Sequence, residues 1–130
     1  MIKTISLLII LLSTCSEVSQ QEGVISKLIT ATELQNLIKE KSDLQLIDVR
    51  TLGEYKAGHL SKSVLIDYYR SDFKAQLQKL DKNKPIAVYC AIGGRSNGAL
   101  QILKRLGFKE AYDLSGGIQS WREKKLPIEK

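Results

Sequence analysis

Ile86-Ala87-Val88-Tyr89-Cys90-Ala91-Ile92-Gly93-Gly94-Arg95-Ser96 passes from a short apolar run, through a cysteine and two glycines, into a helical pattern. The apolar run has the length and composition of a strand buried on both faces, and Pro85 opens it where a missing amide donor is tolerated. Beyond the glycines, Ala99, Leu100, Leu103 and Leu106 return on one helical face, and Gly107 marks the stop. In such a strand, loop and helix start, successive backbone amides point into one anion-binding cradle. Cys90 sits at its mouth, where the positive helix end and Arg95 favour the thiolate. A buried, inert cysteine is the competing reading, and it gives no reason for a surround of glycines and arginine.

Working outward, short apolar runs alternate with helical patterns from Val24 onward, with no internal repeat. Thr30-Ala31-Thr32-Glu33 has capping-box spacing, and Leu34, Leu37 and Ile38 supply the apolar face of the helix that follows. Leu44 to Val49 and Val64 to Ile66 read as buried strands, separated by a turn-rich, partly helical stretch from Thr51 to Lys62. A second amphipathic helix is predicted from Ser71 or Asp72 to about Leu80, with Phe73, Leu77 and Leu80 inward. Ala111 to Leu114 reads as the last strand. Gly116-Gly117 then makes a tight exit into a helix over about Ile118 to Lys124 carrying Trp121. This alternation predicts an α/β fold, a mostly parallel sheet covered by helices on both faces. Arg50, Asp67, Cys90 and Ser115 all fall at predicted strand ends, so they share the rim where such sheets place ligands.

The first residues read differently. Lys3, the apolar run Ile5 to Leu12 and small residues before Cys15 have the three-part layout of an export signal over residues 1–14. As a helix the run rises only about 12 Å, too short to span a bilayer. Leu12-Ser13-Thr14-Cys15 resembles a bacterial lipoprotein signal, which implies lipid on Cys15 and a location in the periplasm or cell envelope; ordinary cleavage to a soluble form is the alternative. Residues 15–23 are polar and aperiodic, a tether, and residues 24–130 form the domain. With Cys15 lipidated, Cys90 is the one thiol left in a chain of two cysteines, and no disulfide framework is available.

Length and charge exclude other classes. At 130 residues there is room for one domain; charged residues make up 26% and apolar ones 43%, a globular composition. The net charge of +6 is scattered and aromatic residues are 6%, so a nucleic-acid surface is not expected. No metal-site spacing and no nucleotide-phosphate motif occurs, so neither metal nor cofactor is expected.

Four separated segments carry a resemblance. Leu46-Ile47-Asp48-Val49-Arg50 with Glu54-Tyr55 and Gly58-His59-Leu60, then Tyr89-Cys90 through Ser96, then Phe108 through Leu114, and Gly116-Gly117-Ile118-Gln119-Ser120-Trp121 resemble the single-domain rhodaneses, thiosulfate sulfurtransferase-like proteins. The resemblance implies a three-layer fold with a five-stranded parallel sheet flanked by helices. It also implies a cysteine, here Cys90, that accepts sulfane sulfur and passes it to a thiol or cyanide. Ala91, Ile92, Gly93, Gly94, Arg95 and Ser96 match the loop that holds the sulfur and its donor, thiosulfate or polysulfide. Many members carry a basic residue directly after the cysteine, where this chain has Ala91, so a less positive pocket is expected. Phosphatases and arsenate reductases of the same fold have five residues between cysteine and arginine; here there are four, a cradle sized for sulfur rather than phosphate.

The remaining residues are given supporting parts. Asp48 and Arg50 are expected to brace the strand end by charge-assisted hydrogen bonds. His59 and Trp121 are expected to pack, and Tyr68, Tyr69 and Arg70 either line the acceptor entrance or form an ordinary turn. The expected partners are a small sulfur donor and an external acceptor, a thioredoxin-like protein or a small thiol. A non-enzymatic module that holds sulfur or binds a partner is the alternative function.

Overall fold

Helix and strand alternate along residues 23–130, the part of the chain that the computed structural model describes. Residues 1–14, read above as an export signal, Cys15 and nearly all of the stretch read as a tether lie outside the described residues. The order is β1 (Ile25–Ile29), α1 (Ala31–Glu40), β2 (Gln45–Asp48), α2 (Leu52–Ala57), β3 (Val64–Leu65), α3 (Phe73–Gln78), β4 (Ile86–Tyr89), α4 (Gly94–Leu106), β5 (Glu110–Leu114) and α5 (Gly117–Glu123). The five strands form one sheet in the order β1-β5-β4-β2-β3, and every pairing is parallel. Their carboxyl ends therefore lie on one edge, with Cys90 following the central strand.

Side chains alternate across the pleat and build two cores. On one face Ile47, Val49, Ile86, Val88 and Ala111 meet Phe73 and Leu77 of α3 and Ala99, Leu100 and Leu103 of α4. On the other, Leu46, Ala87, Tyr89, Tyr112 and Leu114 meet Ala31 and Leu34 of α1 and Ile118 and Trp121 of α5. Trp121 is buried, its indole Nε1 donating to the Pro127 carbonyl at 3.0 Å. Helix α1 starts at the capping box read from sequence: Thr30 Oγ1 accepts from the Glu33 amide at 3.2 Å, and Glu33 Oε2 accepts from the Thr30 amide at 2.7 Å. Helix α4 stops at Gly107, whose φ of 87° is left-handed.

Two expectations change. Val64 to Ile66 was expected to be a buried strand, but β3 is a two-residue edge strand with Val64 57% exposed. One neighbour, β2, suffices to pair it, and the apolar pattern alone cannot tell an edge from a centre. Helix α3 is also shorter than Ser71/Asp72 to Leu80: Asp72 stands at its N-cap without a capping bond, its carboxylate taken by Arg70 Nε at 2.9 Å and Gln76 Nε2 at 3.1 Å.

Candidate active site

The loop after β4 folds back on its cysteine. Gly93 adopts a φ of 123°, a region an L side chain rarely enters, and its amide donates to Cys90 Sγ at 3.0 Å. The Ser96 hydroxyl lies 3.4 Å from the same sulfur and donates to the Gly93 carbonyl at 3.2 Å. The amides of Gly94, Arg95 and Ser96 open α4, where first-turn N–H groups have no intrahelical acceptor. Cys90 is a free thiol and only 1% exposed. The sulfur thus has an amide donor, a hydroxyl and the positive end of a 13-residue helix beside it.

Helix α5 holds the loop from behind. Its first amides donate to the loop's carbonyls, Ile118 N to Cys90 O at 2.9 Å and Gln119 N to Ala91 O at 3.2 Å. The approach is so close that a Cβ on Gly117 would lie 2.5 Å from Cys90 O and from Ala91 C, and the φ of 60° there also requires glycine. Gly117, read from sequence only as a tight exit, is thus what lets the loop's carbonyls turn inward.

Arg95 stands beside the cysteine loop as expected, but with a partner the sequence did not announce. Its Nη1 and Nη2 bind the two oxygens of Glu54 at 2.7 and 2.9 Å, a bidentate pair. The guanidinium beside it holds the Glu54 carboxyl at about 2, and the carboxylate raises the pKa of Arg95 in turn. Glu54 is also the N3 residue of a second capping box, which opens α2 at Thr51. One carboxylate therefore ties the helix after β2 to the loop after β4, and the cation expected to face an anionic donor is neutralised. The Thr51-x-x-Glu54 spacing signals the cap in the sequence; nothing local signals the pairing with Arg95, 41 residues away.

Arg50 points to the other side of the rim. The Asp48 carboxylate accepts from its backbone amide at 2.9 Å, from Nε at 3.0 Å and from Nη2 at 2.6 Å, and Nη2 also donates to the Gly58 carbonyl at 2.7 Å. Burial works against the Arg50 charge, but the hydrogen bonds to Asp48 outweigh it and raise its pKa. His59 stacks on Tyr55 with ring centroids 3.8 Å apart and donates through Nδ1 to the Tyr55 carbonyl at 2.9 Å. Neither residue contacts Cys90.

A cavity of about 510 Å³ opens over the cysteine, lined by Thr51, Glu54, Tyr69, Cys90, Ile92 and Arg95. Its mouth is apolar, with Tyr69 and Ile92 both 70% exposed and the Arg95 guanidinium 5.6 Å from the Tyr69 ring centre. Of Tyr68, Tyr69 and Arg70, only Tyr69 reaches this cavity; Tyr68 packs edge-on against Phe73, and Arg70 lines a separate depression with Asp67 and Asp72. Among the described residues no cluster of histidine, cysteine and carboxylate is placed to hold a metal ion, and no helix is long and apolar enough to cross a membrane.

One buried group lay outside the sequence reading. Asp113 on β5 is fully buried, and neither carboxylate oxygen has a hydrogen-bond partner among the described residues. Burial pushes its pKa up to about 6, against the opposing pull of the nearby Ser96 hydroxyl.

This fold is shared with known proteins. The sequence profile described as rhodanese-like domain matches residues 30–124. A thiosulfate sulfurtransferase, GlpE, of Coxiella burnetii is 34% identical over 96 residues, which cover 74% of this chain and 87% of that protein. The crystal structure of a rhodanese-related protein from Thermoplasma volcanium aligns with a TM-score of 0.70 at 34% identity, covering 79% of this chain and 97% of the other. That of a rhodanese-like domain protein from Staphylococcus aureus gives 0.67 at 31%, covering 80% and 99%. With its parallel five-stranded sheet and its cysteine loop at the end of the central strand, this chain belongs to the rhodanese-like domain family, which includes sulfurtransferases.

Proposed function

We propose that the domain is a sulfurtransferase that carries sulfane sulfur as a persulfide on Cys90. The observation that carries this reading is the Gly93 amide held 3.0 Å from Cys90 Sγ, at the start of a helix and under an open cavity. In the first half-reaction the Cys90 thiolate attacks the outer sulfur of a donor R–S–S⁻. The donor S–S bond breaks, R–S⁻ leaves, and a Cys90 persulfide anion forms within the loop. In the second, an acceptor thiolate or cyanide attacks the outer sulfur and Cys90 thiolate returns. Cys90 is the only cysteine among the described residues, and with Cys15 lipidated the acceptor is a separate molecule.

The donor follows from the charges at the mouth. Ala91 supplies no cation and Arg95 is already paired with Glu54, so a doubly charged donor such as thiosulfate gains little there. Organic persulfides, whose sulfane group carries a single charge and whose organic part suits the Tyr69 and Ile92 walls, are the better match. If residues 1–14 direct export and Cys15 is lipidated, these reactions occur at the cell envelope.

The decisive experiment is the intact mass of the purified domain before and after exposure to polysulfide. A gain of about 32 Da, lost on treatment with a thiol and absent in Cys90→Ser, is the expected result. An unchanged mass on folded protein with a free thiol would overturn the persulfide reading.

A further inference from the structure

Beneath the cysteine loop lies a polar inclusion that sulfur transfer by Cys90 alone does not use. Helix α4 packs across β4 and β5 and seals Ser96 and Asp113, both 0% exposed, into the same face of the sheet as Cys90. Asp113 stands opposite Val88 in the β4–β5 register, so Cys90, two residues further along β4, is its diagonal neighbour on that face. Ser96 joins them: its hydroxyl is 3.4 Å from Cys90 Sγ and is the polar group beside the carboxylate. That hydroxyl has one proton and two acceptors within reach, the Gly93 carbonyl and the cysteine sulfur, while the Asp113 carboxylate beside it holds no hydrogen bond.

We propose that Asp113 is a positioning residue for Cys90: as the carboxylic acid it donates to Ser96 Oγ and so directs the single Ser96 proton to the cysteine sulfur. The inference rests on the reading of Cys90 as the sulfur-accepting nucleophile. When Cys90 ionises, its proton passes to Ser96 Oγ while the Ser96 proton passes to an Asp113 oxygen. One O–H bond forms for the S–H bond broken, and the buried pair carries a single negative charge throughout. The alternative, thiolate and carboxylate together, would place two negative charges beside one another, with the nearest cation, Arg95, already paired with Glu54. The surroundings leave Asp113 no other charged partner. From β1, Lys27 lies on the opposite face beside Tyr112. On α4, Arg95 is held by Glu54, and Lys104 and Arg105 are exposed; on α3, Lys74 is exposed. Burial has moved the Asp113 pKa up from 3.8 to about 6, so at pH 7 the acid is the minor form, within about tenfold of the carboxylate and within reach of a proton from Cys90.

The test is the rate at which iodoacetamide, a neutral probe, alkylates Cys90 between pH 5 and 9 in the unmodified domain, Asp113→Asn and Asp113→Leu. The asparagine amide removes the charge and still donates to Ser96. It should raise the rate at pH 7 about tenfold and move the profile about one unit to lower pH. Leucine removes the charge without a donor, so it should fall short of asparagine by severalfold. Equal profiles for the unmodified domain and Asp113→Asn, or equal effects of asparagine and leucine, would overturn the proposal. If the variants do not fold, the carboxylic C=O infrared band of the unmodified protein gives the same answer: its midpoint must move when Cys90 is alkylated, and a fixed midpoint refutes the coupling. No sulfur donor is used, so failure here leaves Cys90 loading untouched, and failure of loading leaves this test standing.

Discussion

Tyr89 and Cys90 are neighbours at the end of the central strand, and the pleat sends them to opposite faces, where buried polar groups are treated differently. On the Tyr89 side every partner is in place. Its hydroxyl accepts from the Leu60 amide at 3.1 Å and shares a hydrogen bond with Ser63 Oγ at 3.0 Å, while the Arg50 guanidinium sits 5.6 Å from its ring centre, clamped by Asp48. Burial, reinforced by the nearby Asp48 charge, raises the Tyr89 pKa and keeps its proton on. On the Cys90 side Ser96 is shared among competing acceptors, and Asp113 has no partner among the described residues. A satisfied network fixes geometry, whereas an unsatisfied buried group keeps a second protonation state within reach. The first face holds the rim in place and the second leaves a proton to move.

The comparison breaks most easily at Asp48. Asp48→Ala leaves a nearly buried guanidinium with only the Gly58 carbonyl, and should cost about 3 to 5 kcal/mol in urea unfolding; a loss below about 1 kcal/mol would show that this face is not held by its ion pair. Asp113→Asn tests the other face with opposite sign. Because the folded pKa is raised from 3.8 to about 6, the Asp113 contribution to stability is full below about pH 4 and is lost as pH rises through 6. The asparagine variant should therefore be more stable at pH 8 by up to about 3 kcal/mol and gain nothing at pH 4. A gain equal at both pH values would mean that the carboxylate charge is not the cause.

Tyr89→Phe should cost about 1 to 2 kcal/mol, because the Leu60 amide and Ser63 hydroxyl lose their partner, and this loss should be flat between pH 5 and 8. The smallest effect is expected at the mouth. Glu54 stays ionised down to about pH 2, so mild acid does not release Arg95. Glu54→Gln weakens the pair by removing its charge, and should lower the KM for thiosulfate about threefold while changing that for a singly charged organic persulfide less. No change with thiosulfate would remove Arg95 from donor selection.

What could be read along the chain was whatever depends on near neighbours. The Thr30 to Glu33 cap, the helix stop at Gly107 and strand β4 are set by residues within a turn or two of one another. The position of Cys90 between strand and helix follows from the same local pattern. The second capping box at Thr51 and Glu54 was equally local, but its place in a turn-rich stretch hid it. The edge position of β3 could not be read, since an apolar triplet looks the same in the middle of a sheet and at its border.

The sequence by itself determined the alternation of strands and helices and the place of the cysteine loop on the rim at the strands' carboxyl ends, because periodicity, caps and the strand-to-helix loop are short-range properties of the chain. Only the tertiary structure decided that Glu54 neutralises Arg95, that Gly117 presses against the cysteine loop and that Asp113 is sealed beside Ser96 without a partner. Those outcomes depend on which distant segments share a small volume and on how little water reaches them. Burial and charge pairing are set by the packed whole, and they tune what the cysteine can do.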